Sequence, residues 1–297
     1  MAKIVMCGNH IGGKPIIEAL LKAGHKFSYF VCLSPQQATE NNVSGYFDFA
    51  PMAKAHNIPV YIPENFTLKT EKDIKFFNEN KFDLLVQGGW QRLFPKEVLE
   101  SLSIGALGYH GSSEFLPKGR GRSPMNWCLA EGRDKFIMHL FLMKEGADNG
   151  DVIDYEIFDI NEFDDIETLY YKYSISNRNL LLRNIESLIK GDFKIIPQEG
   201  EPSYYPKRTD KDGEIKWDSM DIKQIYDLVR AVTHPYPGAW AMLDEKKVRI
   251  WKARIFDTKF KYPEANWGEV VERFENKLVI NCKNGLLLID EHETING

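Results

Sequence analysis

His110 closes the apolar run Ala106–His110, and a loop rich in glycine, proline and cations follows it at once. A histidine so placed is not locked into a helix face. A carboxylate beside it would fix its tautomer and stabilise the imidazolium, which makes a usable general base. Asp148 is the carboxylate available: it falls in a turn after the apolar run Phe136–Met143, and that turn can return to the same edge. Spacing alone also fits a plainer reading, a histidine that ends a strand and an aspartate that opens a turn. Between the two lie Lys118, Arg120 and Arg122, a compact cationic loop.

The elements that would carry these residues alternate. A short apolar run Lys3–Cys7, a helical stretch Pro15–Lys22 and a second apolar run Phe27–Leu33 make a βαβ unit, which calls for a parallel sheet. The pattern continues with helices expected at Phe47–His56, Glu71–Asn80 and Pro95–Ser101, and strands at Pro59–Ile62, Phe82–Gln87 and Ala106–His110. This is the signature of an open α/β sheet, mostly parallel and covered on both faces, with ligands at the carboxyl ends of its strands. The run Gly8-Asn9-His10-Ile11-Gly12-Gly13 lacks G-x-G-x-x-G spacing, and Ser34 and Pro35 stand where a ribose would need an acid. Both points speak against a nicotinamide dinucleotide.

Past the sheet the texture changes. Glu167–Ile189 reads as a long amphipathic helix, 197–212 as a linker rich in Pro, Gly, Lys and Asp, and Ile222–Val232 as a helix. Short alternating runs from Ala239 onward suggest a small antiparallel β domain, open-barrel-like. The expected division is therefore a catalytic domain at 1–196, a linker at 197–212 and a β-rich domain at 213–297. The net charge of -5 and the absence of a basic stripe count against nucleic acid as partner. Cys7, Cys32, Cys128 and Cys282 sit in apolar stretches without C-x-x-C pairing and read as reduced core residues. With no secretory pattern at the start and no membrane-length apolar run, a cytoplasmic location is expected. No cluster of metal ligands is visible.

The stretch from Gly108 to Asp151 resembles the formyltransferase signature shared by methionyl-tRNA formyltransferases and sugar N-formyltransferases. His110, Leu116, Pro117, Arg120, Gly121, Pro124, Trp127, Asp148, Gly150 and Asp151 carry the match. His-Gly-Ser, Arg-Gly-Arg and Asn126-Trp127 are similar in particular to the formyltransferase half of bacterial aminoarabinose–lipid A enzymes. Asn57–Tyr61, Asp227–Val232 and Pro235–Trp240 extend the likeness over nearly the whole chain. One departure stands out. The family has asparagine two residues before the histidine, thought to hold the formyl oxygen as charge develops, and here the residue is Gly108. Loss of such a donor costs about 10²–10³ in rate. Ser112, Ser113 and Asn126 are the candidates to replace it.

The resemblance implies a donor, 10-formyltetrahydrofolate, released as tetrahydrofolate, and no metal. It implies attack by a substrate amine on the formyl carbon, with His110 as base and Asp148 orienting it. By the same likeness Gln87, Gly88, Gly89, Trp90 and Leu93, with Gly146, Ala147 and Asp148, line the folate pocket. Ser112, Ser113, Lys118, Arg120, Arg122 and Asn126 then face the substrate, the cations suiting a nucleotide diphosphate or a folate glutamate tail. A nucleotide-linked amino sugar, such as a 4-amino-dideoxyhexose, is the expected acceptor. A methionyl-tRNA formyltransferase and a non-catalytic folate or nucleotide-sugar binder are the alternatives. The resemblance leaves a homodimer open.

Overall fold

The structure, a computed structural model, describes residues 2–295. Five parallel strands lead the chain: β1 (Ile4–Gly8), β2 (Phe27–Val31), β3 (Val60–Tyr61), β4 (Leu84–Gly88) and β5 (Gly105–Ser112). Helices α1 (Lys14–Lys22), α2 (Pro35–Glu40), α3 (Ala50–Ala55), α4 (Glu71–Asn80) and α5 (Lys96–Glu100) connect them. A two-residue strand β6 (Arg120–Gly121), helix α6 (Pro124–Ala130) and the antiparallel pair β7 (Lys135–Leu142) and β8 (Val152–Asp159) follow. Among the described residues the sheet has seven strands in the order β3-β2-β1-β4-β5-β7-β8. The order reverses between β1 and β4, which opens the crevice where such sheets take ligands.

The long helix α7 (Ile166–Lys190) starts at a capping box, with Asp165 accepting the Thr168 N–H, and stops at Gly191 in the left-handed region. It covers one face of the sheet together with α1. Leu20, Leu84, Leu107, Leu140, Leu180 and Ile185 are buried there. Val5, Leu85, Phe77, Phe82 and Val98 fill the opposite face. Both faces being apolar explains why the parallel strands read as unbroken hydrophobic runs.

Beyond α7 come β9 (Tyr204–Tyr205), helix α8 (Ile222–Val232) and a second sheet, antiparallel, ordered β10-β11-β14-β13-β12. Its strands are β10 (Ala239–Leu243), β11 (Lys246–Asp257), β12 (Val270–Phe274), β13 (Lys277–Cys282) and β14 (Gly285–Thr294). The first face's core continues without a break into this sheet, through Val229, Ile250 and Leu287. Arg230 of α8 is 7% exposed. Its guanidinium donates to the carbonyls of Asn161 and Asp164, each at 2.7 Å, and pairs with Asp227. All four cysteines are buried and free. Among the described residues no helix is long and apolar enough to cross a membrane.

Several expectations need correction. The helix expected at Phe47–His56 begins only at Ala50, whose N–H is capped by Asp48 Oδ1 at 2.9 Å. Phe47 and Phe49 instead turn inward in an edge-on pair. Helix α2 was not expected, although Ser34 and Gln37 form a capping box legible as S-x-x-Q. The stretch 197–212 is more than a connection: β9 pairs with β6 beside His110, and the N–H of Gly119 donates to Ser203 Oγ at 2.8 Å.

Candidate active site

His110 lies near the carboxyl end of β5 and is 8% exposed. Its Nε2 is 2.8 Å from the carbonyl oxygen of Gly119. A carbonyl only accepts, so Nε2 carries the hydrogen and the neutral ring has its lone pair on Nδ1. Asp148 belongs to the connection between β7 and β8, which folds back so that its Oδ2 lies 3.4 Å from Nδ1. Nδ1 thus faces a carboxylate. Asp148 has a left-handed backbone, φ 54°, a conformation an acidic or amide side chain tolerates better than most.

The carboxylate's setting is built by residues from the expected linker. Asp148 Oδ2 accepts the Gly121 N–H at 3.3 Å. Gln198 Nε2 donates to the main-chain carbonyls of Asp148 and Gly150, at 2.9 and 2.7 Å. Gln198 is itself held by Arg120, whose Nη2 and Nε reach its Oε1 at 2.5 and 3.2 Å. Arg120 therefore points inward. It is 9% exposed and also donates to Tyr204, which corrects its expected role as a substrate ligand. Only Lys118, half-buried, and Arg122, exposed, remain outward on that loop. Sequence reasoning missed Gln198, because nothing local marks a glutamine in a polar connection.

The three candidates to replace the family asparagine fare differently. Ser112 Oγ donates to the Glu114 carbonyl at 2.8 Å. Asn126 is buried against α8 and its Nδ2 donates to the Ala231 carbonyl at 2.7 Å, so its amide ties α6 to α8. Ser113 is 6% exposed, and among the described residues its Oγ, like Asn126 Oδ1, has no hydrogen-bond partner.

The residues expected to line the donor pocket also divide. Leu93 and Gly146 line a cavity of about 700 Å³, together with Arg92, Phe94 and Glu145. That volume suits a ligand of folate size, and Leu93, 63% exposed, leaves apolar surface at its wall. Ala147 is exposed and leads directly to Asp148. Gln87 accepts the Trp90 N–H at 2.9 Å and fixes the loop from behind. Trp90 is buried, stacked on Phe94 and edge-on to Phe66, and so belongs to the core. Gly88 packs against the start of α1: a Cβ on Gly13 would lie 2.2 Å from its carbonyl. Gly89 lies under His10.

A second histidine, His139, stands directly opposite His110 on β7 and is 1% exposed. Burial lowers its pKa to about 4; its hydrogen bond to the His110 carbonyl works the other way, and the nearby His110 charge lowers it further. An unfolded histidine titrates near 6.5. Between pH 6.5 and 4 the unfolded chain therefore binds a proton that the fold refuses, and stability falls as pH falls. By pH 5 this one group should cost about 2 kcal/mol. Chemical denaturation at pH 7.5 and pH 5 checks it: His139→Gln should lose that part of the acid sensitivity, and an unchanged pH dependence would refute the assignment.

A doubly covered α/β sheet thus carries a histidine and a carboxylate together at its edge, with a cavity lined in part by Gly146, two residues before Asp148. The chain belongs to the formyl transferase family: residues 2–185 match the model described as formyl transferase, and residues 207–297 the one described as formyl transferase, C-terminal domain. It is 30% identical to the bifunctional polymyxin resistance protein ArnA of Wigglesworthia glossinidia brevipalpis, over 97% of this chain and 42% of that protein. It thus spans less than half the length of this relative. Identity to methionyl-tRNA formyltransferase of Thermodesulfovibrio yellowstonii is 27%, over 96% of this chain and 89% of that one. Its fold is shared with an N-formyltransferase from Helicobacter canadensis solved with folinic acid and dTDP-3-aminofucose, at TM-score 0.70 and 17% identity, over 99% of this chain and 100% of that one.

The Arg120–Gln198 relay gives a prediction for this enzyme class. Gln198→Leu should free the Asp148 loop and lower turnover about tenfold, on the order of 1.4 kcal/mol, with the fold retained. Steady-state kinetics beside a thermal melt checks this, and full turnover in the variant would reduce Gln198 to a surface residue.

Proposed function

We propose that this chain transfers the formyl group of 10-formyltetrahydrofolate to the primary amine of a nucleotide-linked amino sugar. The observation that carries the reading is the His110–Asp148 pair, with Nε2–H given to Gly119 and Nδ1 left as the acceptor. An amine must lose a proton as it is acylated. His110 takes it at Nδ1, and Asp148 stabilises the cation. The bound donor supplies the activated formyl group. Leu93 and Gly146 would hold it in the adjoining cavity, and the connection Gly146–Asp148 links that wall to the base.

The acceptor reading rests on charge. Two outward cations, Lys118 and Arg122, match a diphosphate. A tRNA is bound by neutralising many phosphates, and a chain of net charge -5 is poorly suited to it. The likeness to a methionyl-tRNA formyltransferase keeps initiator tRNA as the second reading. The fold neighbour solved with dTDP-3-aminofucose supports a sugar nucleotide. A panel of UDP- and dTDP-amino sugars, assayed beside charged initiator tRNA with 10-formyltetrahydrofolate, decides. Formylation of an amino sugar is the expected result. Efficient, salt-dependent formylation of the tRNA alone would overturn the acceptor assignment, and no transfer to any amine would favour a binder without turnover.

A further inference from the structure

Phe141 has no part in the chemistry described so far, yet it stands beside the base. It lies on β7 directly opposite Gly108 of β5, as His139 lies opposite His110. Residues opposed across two strands share a face, and so do residues two apart on one strand. The Phe141 ring therefore lies on the face that carries His110. It is 4% exposed and packs with Leu116, Val152 and Met143.

Two glycines touch this ring. A Cβ on Gly108 would lie 2.4 Å from Cζ and 2.6 Å from Cε2 of Phe141. A Cβ on Gly150 would lie 3.0 Å from Cδ2, and 1.6 Å from the Leu142 carbonyl oxygen. Gly108 is two residues before His110, and Gly150 is two residues after Asp148. The tip of the ring thus rests on the strand that holds the base, and the adjoining Cδ2 on the loop that holds its carboxylate.

We propose that Phe141 is a positioning residue: its ring, packed on both Gly108 and Gly150, sets the approach of Asp148 Oδ2 to His110 Nδ1 and fills the volume a side chain at 108 would need. This rests on the proposed role of the pair in formyl transfer. The separation it sets, 3.4 Å, is close enough for the carboxylate to stabilise an imidazolium and too long for a tight hydrogen bond. Gly108 is then obligatory because of the ring, since no strained backbone angle requires it. The wall beside the base is hydrocarbon where the family carries a polar amide.

The test pairs kinetics with a direct reading of the base. Phe141→Leu keeps an apolar side chain and the fold. It should lower kcat about tenfold, with KM for both substrates unchanged, because small misplacements at a reacting centre act on turnover. Gly108→Ala pushes on the tip of the ring and should cost about 10²-fold. In the double variant the shorter leucine leaves room for the new methyl, so activity should return to that of Phe141→Leu alone, a coupled pair in a double-mutant cycle. In ¹⁵N spectra of histidine-labelled protein without ligands, the Nδ1 resonance of His110 at fixed pH should move in both single variants. A merely structural role would lower the melting temperature and leave that resonance in place. An unmoved resonance with unchanged kcat in Phe141→Leu overturns the proposal, as does a double variant that loses the product of the two single losses. Should the wild-type protein transfer no formyl group, the proposed function fails, and the resonance alone decides the role of Phe141.

Discussion

Replacing His110 by asparagine should abolish formyl transfer and leave the fold and donor binding nearly intact. Asparagine is too short to reach the Gly119 carbonyl, which now lies 2.8 Å from Nε2, but the loop keeps its anchor from the Gly119 N–H to Ser203 Oγ. What disappears is the lone pair on Nδ1. No group of an amide side chain takes a proton at neutral pH, and the loss of a positioned general base typically costs about 10²–10⁴ in rate. The measurement is turnover with both substrates saturating, alongside the donor's dissociation constant. Retention of more than roughly a tenth of wild-type turnover would remove His110 from the role of base.

Asp148→Asn should fall almost as far, for a different reason. Asparagine accepts the left-handed backbone at this position and keeps an oxygen for the Gly121 N–H. The bonds from Gln198 go to main-chain carbonyls and survive. The substitution therefore isolates the charge. Without it the imidazolium that forms on proton transfer loses its counter-ion. A fall of about 10²–10³ in kcat is expected. Kinetics unchanged from pH 6 to pH 9 would reassign Asp148 to a turn residue.

Much of this molecule was legible in its sequence where one local rule sufficed. Helix Glu71–Asn80 and helix Ile222–Val232 were placed to the residue, because caps and period agree there. Helix α3 was overextended, since Phe47 and Phe49 continue the apolar pattern while Asp48 and Pro51 start the helix later. The site divides in the same way. A strand end and a turn made His110 and Asp148 candidates, the formyltransferase resemblance selected them over the plainer reading, and the structure brings them together. Their supports could not be named. Arg120 looked like a ligand because a cation in a loop next to a histidine suggests an anion, but its partner is Gln198, distant in sequence. Asn126 looked like a spare donor, and its amide is taken by α8. Such pairings depend on which chain segments meet, and no spacing rule encodes that.

The unbroken apolar interior beneath α7 and α8, with Arg230 set into the 161–164 turn, bears on how this architecture can be rearranged. Cutting between the two sheets, with α8 on the far side of the cut, would expose the flanks of α6 and α8 to water and strip Arg230 of the Asn161 and Asp164 carbonyls. The halves should therefore melt in a single calorimetric transition, not two. For recombination the exchangeable module is not the antiparallel sheet by itself. A chimera that imports a foreign C-terminal half must keep the native α8 with the catalytic half, or recreate its packing against α6, before any question of substrate choice arises.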